Sequence, residues 1–273
     1  MPEGPEIKRA AARIAQAIAR QPLQEVWFAF SHLKPYEAQL GASQIREIQT
    51  RGKGMLIHFD CGLSIYTHSL LYGRWMIRRA YSYPKTKRQL RLALQGQRKS
   101  ALLYSASEID VLDAAGIQTH PFLNRMGPDV LSDSITIDQV QERFRCDRFR
   151  RRRLTTLLLD QHFLAGLGNY LRSEILFVAS VHPTLRPMDC SPDQLRKLAE
   201  AALSLPRQAY KTGGITNDMD WVAKLKSQGF RRQVYCHWVF ERADQLCWIC
   251  ATPILKDYQG GRRYYYCPQC QEK

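Results

Sequence analysis

Near its carboxy terminus the chain sets four cysteines as Cys247-x-x-Cys250 and Cys267-x-x-Cys270, with sixteen residues between the pairs. That is the spacing of a two-hairpin zinc site, in which each pair offers two thiolates from one turn. Four thiolates complete a tetrahedral shell and leave no position for water, so the single Zn2+ they imply folds the tail and performs no chemistry. A disulfide-linked or redox-active set is the alternative. A redox Cys-x-x-Cys would be expected beside a βαβ pattern, which this tail lacks. Cys61, Cys146, Cys190 and Cys236 are scattered.

The chain ahead of the cysteines changes periodicity once. Ile7, Ala10, Ala11, Ile14, Ala17 and Ile18 recur at helical spacing, so an amphipathic helix is expected to start near Pro5. From Val26 to Tyr104 the pattern becomes short alternating or apolar runs (26–30, 55–59, 63–67, 90–94 and 101–104), which read as strands of an antiparallel sandwich or barrel. Asn124 to Ser134 breaks both periodicities. Helical spacing then returns over 137–144, 154–160, 170–179 and 192–210, with Gly166 and Gly168 punctuating a tight turn. Thr212 to Gln233 has three glycines and little periodicity and reads as a mobile loop. The expected fold is α+β, with domains at 1–124 and 135–233, a linker at 125–134 and a zinc finger at 234–273.

Forty Lys and Arg against twenty-five Asp and Glu give a net charge of +15, which calls for a polyanionic partner. Seven of those cations are arginines between Arg143 and Arg153, interrupted by one carboxylate, Asp147. Alone, such a run would be a solvated charge cluster at a helix end; beside a zinc hairpin it reads as a phosphate-binding surface. No apolar stretch approaches the roughly 20 residues of a spanning helix, and the start lacks a secretory signal, so a cytoplasmic, nucleoid-associated protein with no membrane partner is expected.

The opening Met1-Pro2-Glu3-Gly4-Pro5-Glu6 would, by itself, read as helix capping. Together with Arg51-Gly52-Lys53, Gly166-Leu167-Gly168-Asn169-Tyr170 and the cysteine quartet, it resembles the formamidopyrimidine-DNA glycosylase and endonuclease VIII superfamily. Pro-Glu-Gly-Pro-Glu, Val26-Trp27-Phe28-Ala29-Phe30, Leu103-Tyr104-Ser105-Ala106-Ser107 and His120-Pro121-Phe122-Leu123 are similar to the endonuclease VIII branch. The likeness spans nearly the whole chain and weakens between Gly213 and Leu246. It implies an amino-terminal β-sandwich with flanking helices, a helix-two-turns-helix domain and a zinc-finger hairpin, with damaged double-stranded DNA held in a cleft by a monomer.

It also implies a chemistry. Removal of Met1 exposes Pro2 as a secondary amine, and α-amines titrate near ~8, so a useful fraction is unprotonated at neutral pH. Such an amine attacks C1′ of the damaged nucleotide and forms an iminium that cannot lose its charge through a nitrogen proton. By match to the family motifs, Glu3 handles protons during base loss, Glu6 organises the amine, and Lys53 contacts phosphate and assists β elimination. Arg262 grips phosphate and serves δ elimination, with Arg263 its neighbouring competitor. Leu70-Leu71-Tyr72 sits where the family carries its void-filling wedge. Relatives often have Gln at the first of these positions, whereas Leu70 fills space without hydrogen-bonding the orphaned base. Arg125 and Asn169 match DNA-contacting positions. Two rival readings remain: a formamidopyrimidine or 8-oxoguanine-type glycosylase in place of one for oxidised pyrimidines, and a zinc-ribbon module that binds DNA without cutting it.

Overall fold

The computed structural model describes residues 2–272, and the chain divides into two compact units that meet at Arg125 and Met126. Met1, on which the expectation about processing falls, lies outside the described residues.

The first unit is built on two four-stranded antiparallel sheets. One is ordered β1-β6-β7-β5, from β1 (Leu23–Phe28), β5 (Arg74–Arg79), β6 (Leu90–Gly96) and β7 (Lys99–Tyr104). The other is ordered β2-β3-β4-β8, from β2 (Ile45–Arg51), β3 (Gly54–Phe59), β4 (Ser64–His68) and β8 (Glu108–Leu112). Alternate residues of both sheets, among them Phe28, Leu94 and Leu103 on one side and Met55, Ile57 and Ile65 on the other, form a common core. Helix α1 (Gly4–Ile18) adds Ile7, Ala11, Ile14 and Ile18 to that core, the stripe anticipated from their spacing. Short helices α2 (Glu37–Gly41) and α3 (Ala114–Thr119) complete the unit.

The second unit is helical. Helices α4 (Ile137–Arg145), α5 (Leu154–Leu157), α6 (Asn169–Val178) and α7 (Pro192–Thr212) surround a core that includes Phe144, Leu157, Phe163, Leu171 and Leu198. Helical spacing continues to Asp160, but α5 stops after one turn. The Asp160 carboxylate accepts from the His162 amide at 2.8 Å, and the Gln161 side chain spans Gly166 N, Leu159 O and Leu167 O, so the chain turns instead. The stretch read as a linker is packed: Val130 and Leu131 are buried in this core, and Asp129 bridges to Ala165.

The segment 212–233 is not a featureless loop. It holds α8 (Met219–Ser227), capped by the Asp218 carboxylate on the amides of Asp220 and Trp221, and it leads into α9 (Arg232–Tyr235). Ile215, Val222, Leu225 and Tyr235 bury a small core of their own against Trp221 and Trp248. A two-turn helix with two buried side chains is too short to display a period. The tail closes with the antiparallel hairpin β9 (Leu255–Gln259) and β10 (Arg262–Tyr266). Among the described residues no helix is long and apolar enough to cross a membrane.

Candidate active site and metal centre

In the first unit two of the residues expected to carry chemistry sit in positions, a helix cap and a hairpin turn, that ordinarily leave a side chain in water. Glu3 is the N-cap of α1, in a reciprocal capping box: its side chain accepts from the Glu6 amide, and its own amide donates to Glu6 Oε2 at 3.0 Å. A capping carboxylate is normally solvated, yet Glu3 is only 2% exposed. Glu6 Oε1 also receives Arg9 at 2.6 Å, so the second carboxylate is held from both sides. The half-exposed Pro2 immediately precedes this box. The positive end of the α1 dipole lies at the same place, where it favours the two carboxylates.

Lys53 is reached through a different device. Arg51 pairs with Gly54, leaving Gly52 and Lys53 as a two-residue turn, and Gly52 has φ 58°, the left-handed first position that a type II′ hairpin reserves for glycine. Turn lysines are usually exposed; Lys53 is 5% exposed. Helix α1 packs across β2 and β3, the strands this turn joins.

His68, which nothing in the sequence singled out, adjoins Lys53. Burial, with the Lys53 ammonium beside it, pushes its imidazole down to about 4. Its Nδ1 accepts from the Leu70 amide at 3.2 Å and lies 3.7 Å from Glu108 Oε2, and the ring meets Phe122 edge-on. An unfolded histidine titrates near ~6.5, so between about 6.5 and about 4 the unfolded chain binds the proton and the native one does not. The contribution of His68 is therefore fully present above about 6.5 and is lost as pH falls toward about 4, by about 3 kcal/mol. Denaturant titrations at pH 7 and 4.5 should show a smaller loss for His68→Gln than for the wild type, and equal losses would disprove the assignment.

After β4 the chain turns through Leu70, Leu71 and Tyr72. Leu70 has φ 43°, and Leu71 and Tyr72 are 64% and 69% exposed, so these side chains are not core. Gly73 closes the turn with its amide on Ser69 O at 2.7 Å, and a Cβ there would stand 2.6 Å from the same oxygen. Arg125 is exposed at the end of the first unit.

In the second unit Asn169 and Arg262 are joined through a residue that sequence reasoning missed. Arg172 is fully buried and donates to Asn169 Oδ1 at 2.7 Å, to Thr155 O at 2.9 Å and to Arg263 O at 2.8 Å. It thus fixes the first residue of α6 against the residue next to Arg262. The Asn-x-x-Arg spacing, which places both on one helix face, is the signal that could have found it. Arg263 pairs with Glu241 at 2.9 Å, whereas Arg262 is exposed beside the Gly260-Gly261 turn and has no acidic partner among the described residues. In the arginine run, Arg143 binds the carbonyls of Phe163 and His162, Arg150 pairs with Asp147 and Arg152 with Asp160. Arg145, Arg148, Arg151 and Arg153 remain exposed, and Arg153 reaches Gln259, opposite Arg262 in the hairpin.

The four cysteines converge at the end of this unit with all sulfurs within 4.8 Å of one another, including 3.4 Å for Cys250–Cys267 and 3.8 Å for Cys247–Cys270. A tetrahedron with zinc–sulfur bonds of about 2.3 Å has edges of about 3.8 Å, so the donor set fits one structural zinc. Cys247 and Cys267 are also walls of a small core with Phe177, Val239, Ile254 and Tyr265. Of the tyrosine run, Tyr264 and Tyr265 are packing residues, each 3% exposed.

Known proteins resemble this chain in sequence and in fold. The chain matches the formamidopyrimidine-DNA glycosylase N-terminal domain over residues 1–106 and the formamidopyrimidine-DNA glycosylase H2TH domain over residues 126–220. It is 44% identical to an endonuclease 8 of Pectobacterium carotovorum over 271 residues, covering 99% of this chain and 100% of that protein. An endonuclease 8 of Salmonella agona is 45% identical over 272 residues, with both chains covered completely. Among solved structures, the Lactococcus lactis Fpg in complex with abasic-site DNA superimposes with a TM-score of 0.82 at 18% identity, over 99% of this chain and 100% of that one. MutM in complex with carbocyclic 8-oxo-G DNA gives 0.82 at 20% identity, with both chains covered completely.

Proposed function

The chain belongs to the formamidopyrimidine-DNA glycosylase and endonuclease VIII family and is a base-excision-repair DNA glycosylase with AP lyase activity; from that premise we propose that it removes oxidised pyrimidines from duplex DNA through a Schiff base on Pro2. The observation that carries the assignment of residues is the burial of Glu3 and Lys53, at 2% and 5% exposure, in a helix cap and a hairpin turn. A charged side chain is costly to bury and is kept where it acts.

Once Met1 is removed, the Pro2 nitrogen carries a lone pair. It attacks C1′ as the base departs, and Glu3 supplies the proton that opens the sugar at its ring oxygen. The product is an iminium between the proline ring nitrogen and C1′. Its positive charge acidifies the C2′ hydrogen; a base takes that proton, the electrons form the C2′–C3′ double bond, and the 3′ phosphate leaves. Lys53, held by its turn, contacts phosphate and assists this proton transfer. A second elimination expels the 5′ phosphate, with Arg262 on the phosphate, and hydrolysis of the iminium returns the free amine. A one-nucleotide gap results.

Leu71 and Tyr72 fill the space that the flipped nucleotide vacates, with Leu70 behind them, and Arg125, Asn169 and Arg262 hold the backbone. The protein works as a monomer associated with the nucleoid. Competing duplexes with thymine glycol and 8-oxoguanine test the substrate class: faster cleavage at thymine glycol is expected, and faster cleavage at 8-oxoguanine would transfer the chain to the purine-directed branch. With about six phosphates neutralised, log affinity should fall with log salt at a slope of about −5, measured by anisotropy on an abasic duplex. A slope near zero would remove the exposed arginines from the interface.

A further inference from the structure

One edge of the sandwich carries none of the residues assigned above to base excision. In the sheet ordered β1-β6-β7-β5, β5 pairs with β7 from Arg74↔Tyr104 to Arg79↔Lys99 and, among the described residues, with no other strand. Along its open side runs a groove of about 470 Å³, bounded by Arg13 and Ile14 of α1 on one side and by residues 84–86 on the other. Every residue from Arg74 to Arg78 lines it, so the floor is the edge of the strand and not one of its faces. Trp75 and Ile77 are anchored in the core between the sheets, and Met76 packs in an apolar cluster with Leu102 and Tyr104.

The rim has one sign of charge. Arg13, Arg74, Arg78 and Lys85 are exposed, none has an ion pair among the described residues, and neither Asp nor Glu lines the groove. An open edge offers N–H and C=O groups together. A phosphodiester chain could take the donors but would leave the carbonyls unmet, whereas a peptide strand satisfies both. A second copy of this chain would bring the same four cations and be repelled. We propose that the β5 edge receives an extended, acidic segment of a partner protein as an added strand. The six residues of β5 span about 20 Å, enough to pair with six or so residues of such a segment.

The test uses the intact, zinc-loaded protein and a fluorescein-labelled acidic peptide of alternating Glu and Val, read by anisotropy, with amide shifts followed by NMR. Saturable binding is expected, with the largest shifts at residues 74–78. Combining Arg13→Glu with Arg78→Glu should weaken it at least about tenfold, as should N-methylation of alternate peptide amides, about 1.4 kcal/mol in each case. Unchanged cleavage of an abasic duplex by the double variant shows that it is folded. Absence of saturable binding overturns the proposal. So does binding that survives N-methylation, which would be charge attraction without strand pairing. Binding indifferent to the double charge reversal and displaced by duplex DNA also overturns it, because the peptide would then occupy the DNA surface.

Discussion

Blocking one nitrogen should stop the reaction. A chain with a single alanine added ahead of Pro2 is expected to give no borohydride-trapped adduct on an abasic duplex, because the proline nitrogen is then a tertiary amide with no lone pair to donate. Pro2→Gly should lower adduct formation and strand cleavage by at least about a thousandfold, about 4 kcal/mol of barrier. Glycine leaves a primary amine, but its Schiff base can shed the nitrogen proton and with it the charge that draws electrons from C2′. It also loses the ring that fixes the nitrogen ahead of the Glu3 and Glu6 capping box. Gel-resolved trapping, single-turnover cleavage and duplex affinity should be measured together: binding within about threefold of wild type, alongside lost trapping, separates a missing nucleophile from a misfolded chain. An adduct of undiminished yield on either variant would move the nucleophile elsewhere, with Lys53 the next amine to test.

The second large effect concerns the metal. Stripping zinc, or replacing the buried Cys267 by serine, should release one equivalent of zinc per chain and weaken binding to an abasic duplex at least about a hundredfold, about 2.7 kcal/mol. Zinc sites of this kind supply about 10–16 kcal/mol of apparent folding free energy in isolated fingers. The hairpin β9–β10 has two strands, which are marginal in water without further support. Four sulfurs as close as 3.4–3.8 Å cannot all remain thiolates without a cation among them. When the hairpin opens, Arg172 no longer holds the Arg263 carbonyl, and the neighbouring Arg262 loses its placement. Far-ultraviolet circular dichroism should keep the signal of the first unit's sheets, because none of their core residues belongs to this cluster. Unaltered affinity in the demetallated protein would show that the finger takes no part in binding.

How far the sequence displays this architecture depends on where each element lies. The five strands recognisable from their apolar runs are β1, β3, β4, β6 and β7. The three that escaped, β2, β5 and β8, are all edges of their sheets. Edge strands carry charges that discourage pairing: Arg46 with Glu47 breaks the alternation of β2, Arg74 and Arg78 bracket an apolar run of only three residues in β5, and β8, with Glu108 and Asp110 on its polar positions, alternates over too few residues to stand out. The cysteine quartet was legible because metal binding demands fixed local spacing, and the opening hexapeptide because its capping box joins residues three apart. His68 and Arg172 were not, since each acts through partners brought close only by folding: Lys53 on a neighbouring strand turn, and the carbonyl of Arg263 in the zinc hairpin.

Glu174 has no exposed surface, and its carboxylate accepts three consecutive amides, Trp238, Val239 and Phe240, at 2.8–2.9 Å, with the Thr216 hydroxyl as a fourth donor. An anion gripped by successive backbone donors works as a staple made wholly of protein, and it fastens the approach to the finger onto α6 without help from the metal. The tail therefore has moorings besides the metal: this one, and the bonds from Arg172 to Arg263 O, from the Tyr265 amide to Ser173 Oγ and from Gln271 to Val181 O. When the ion is lost and the hairpin opens, the staple should still hold residues 238–240 against α6, so that reloading the finger need not refold the helix beneath it.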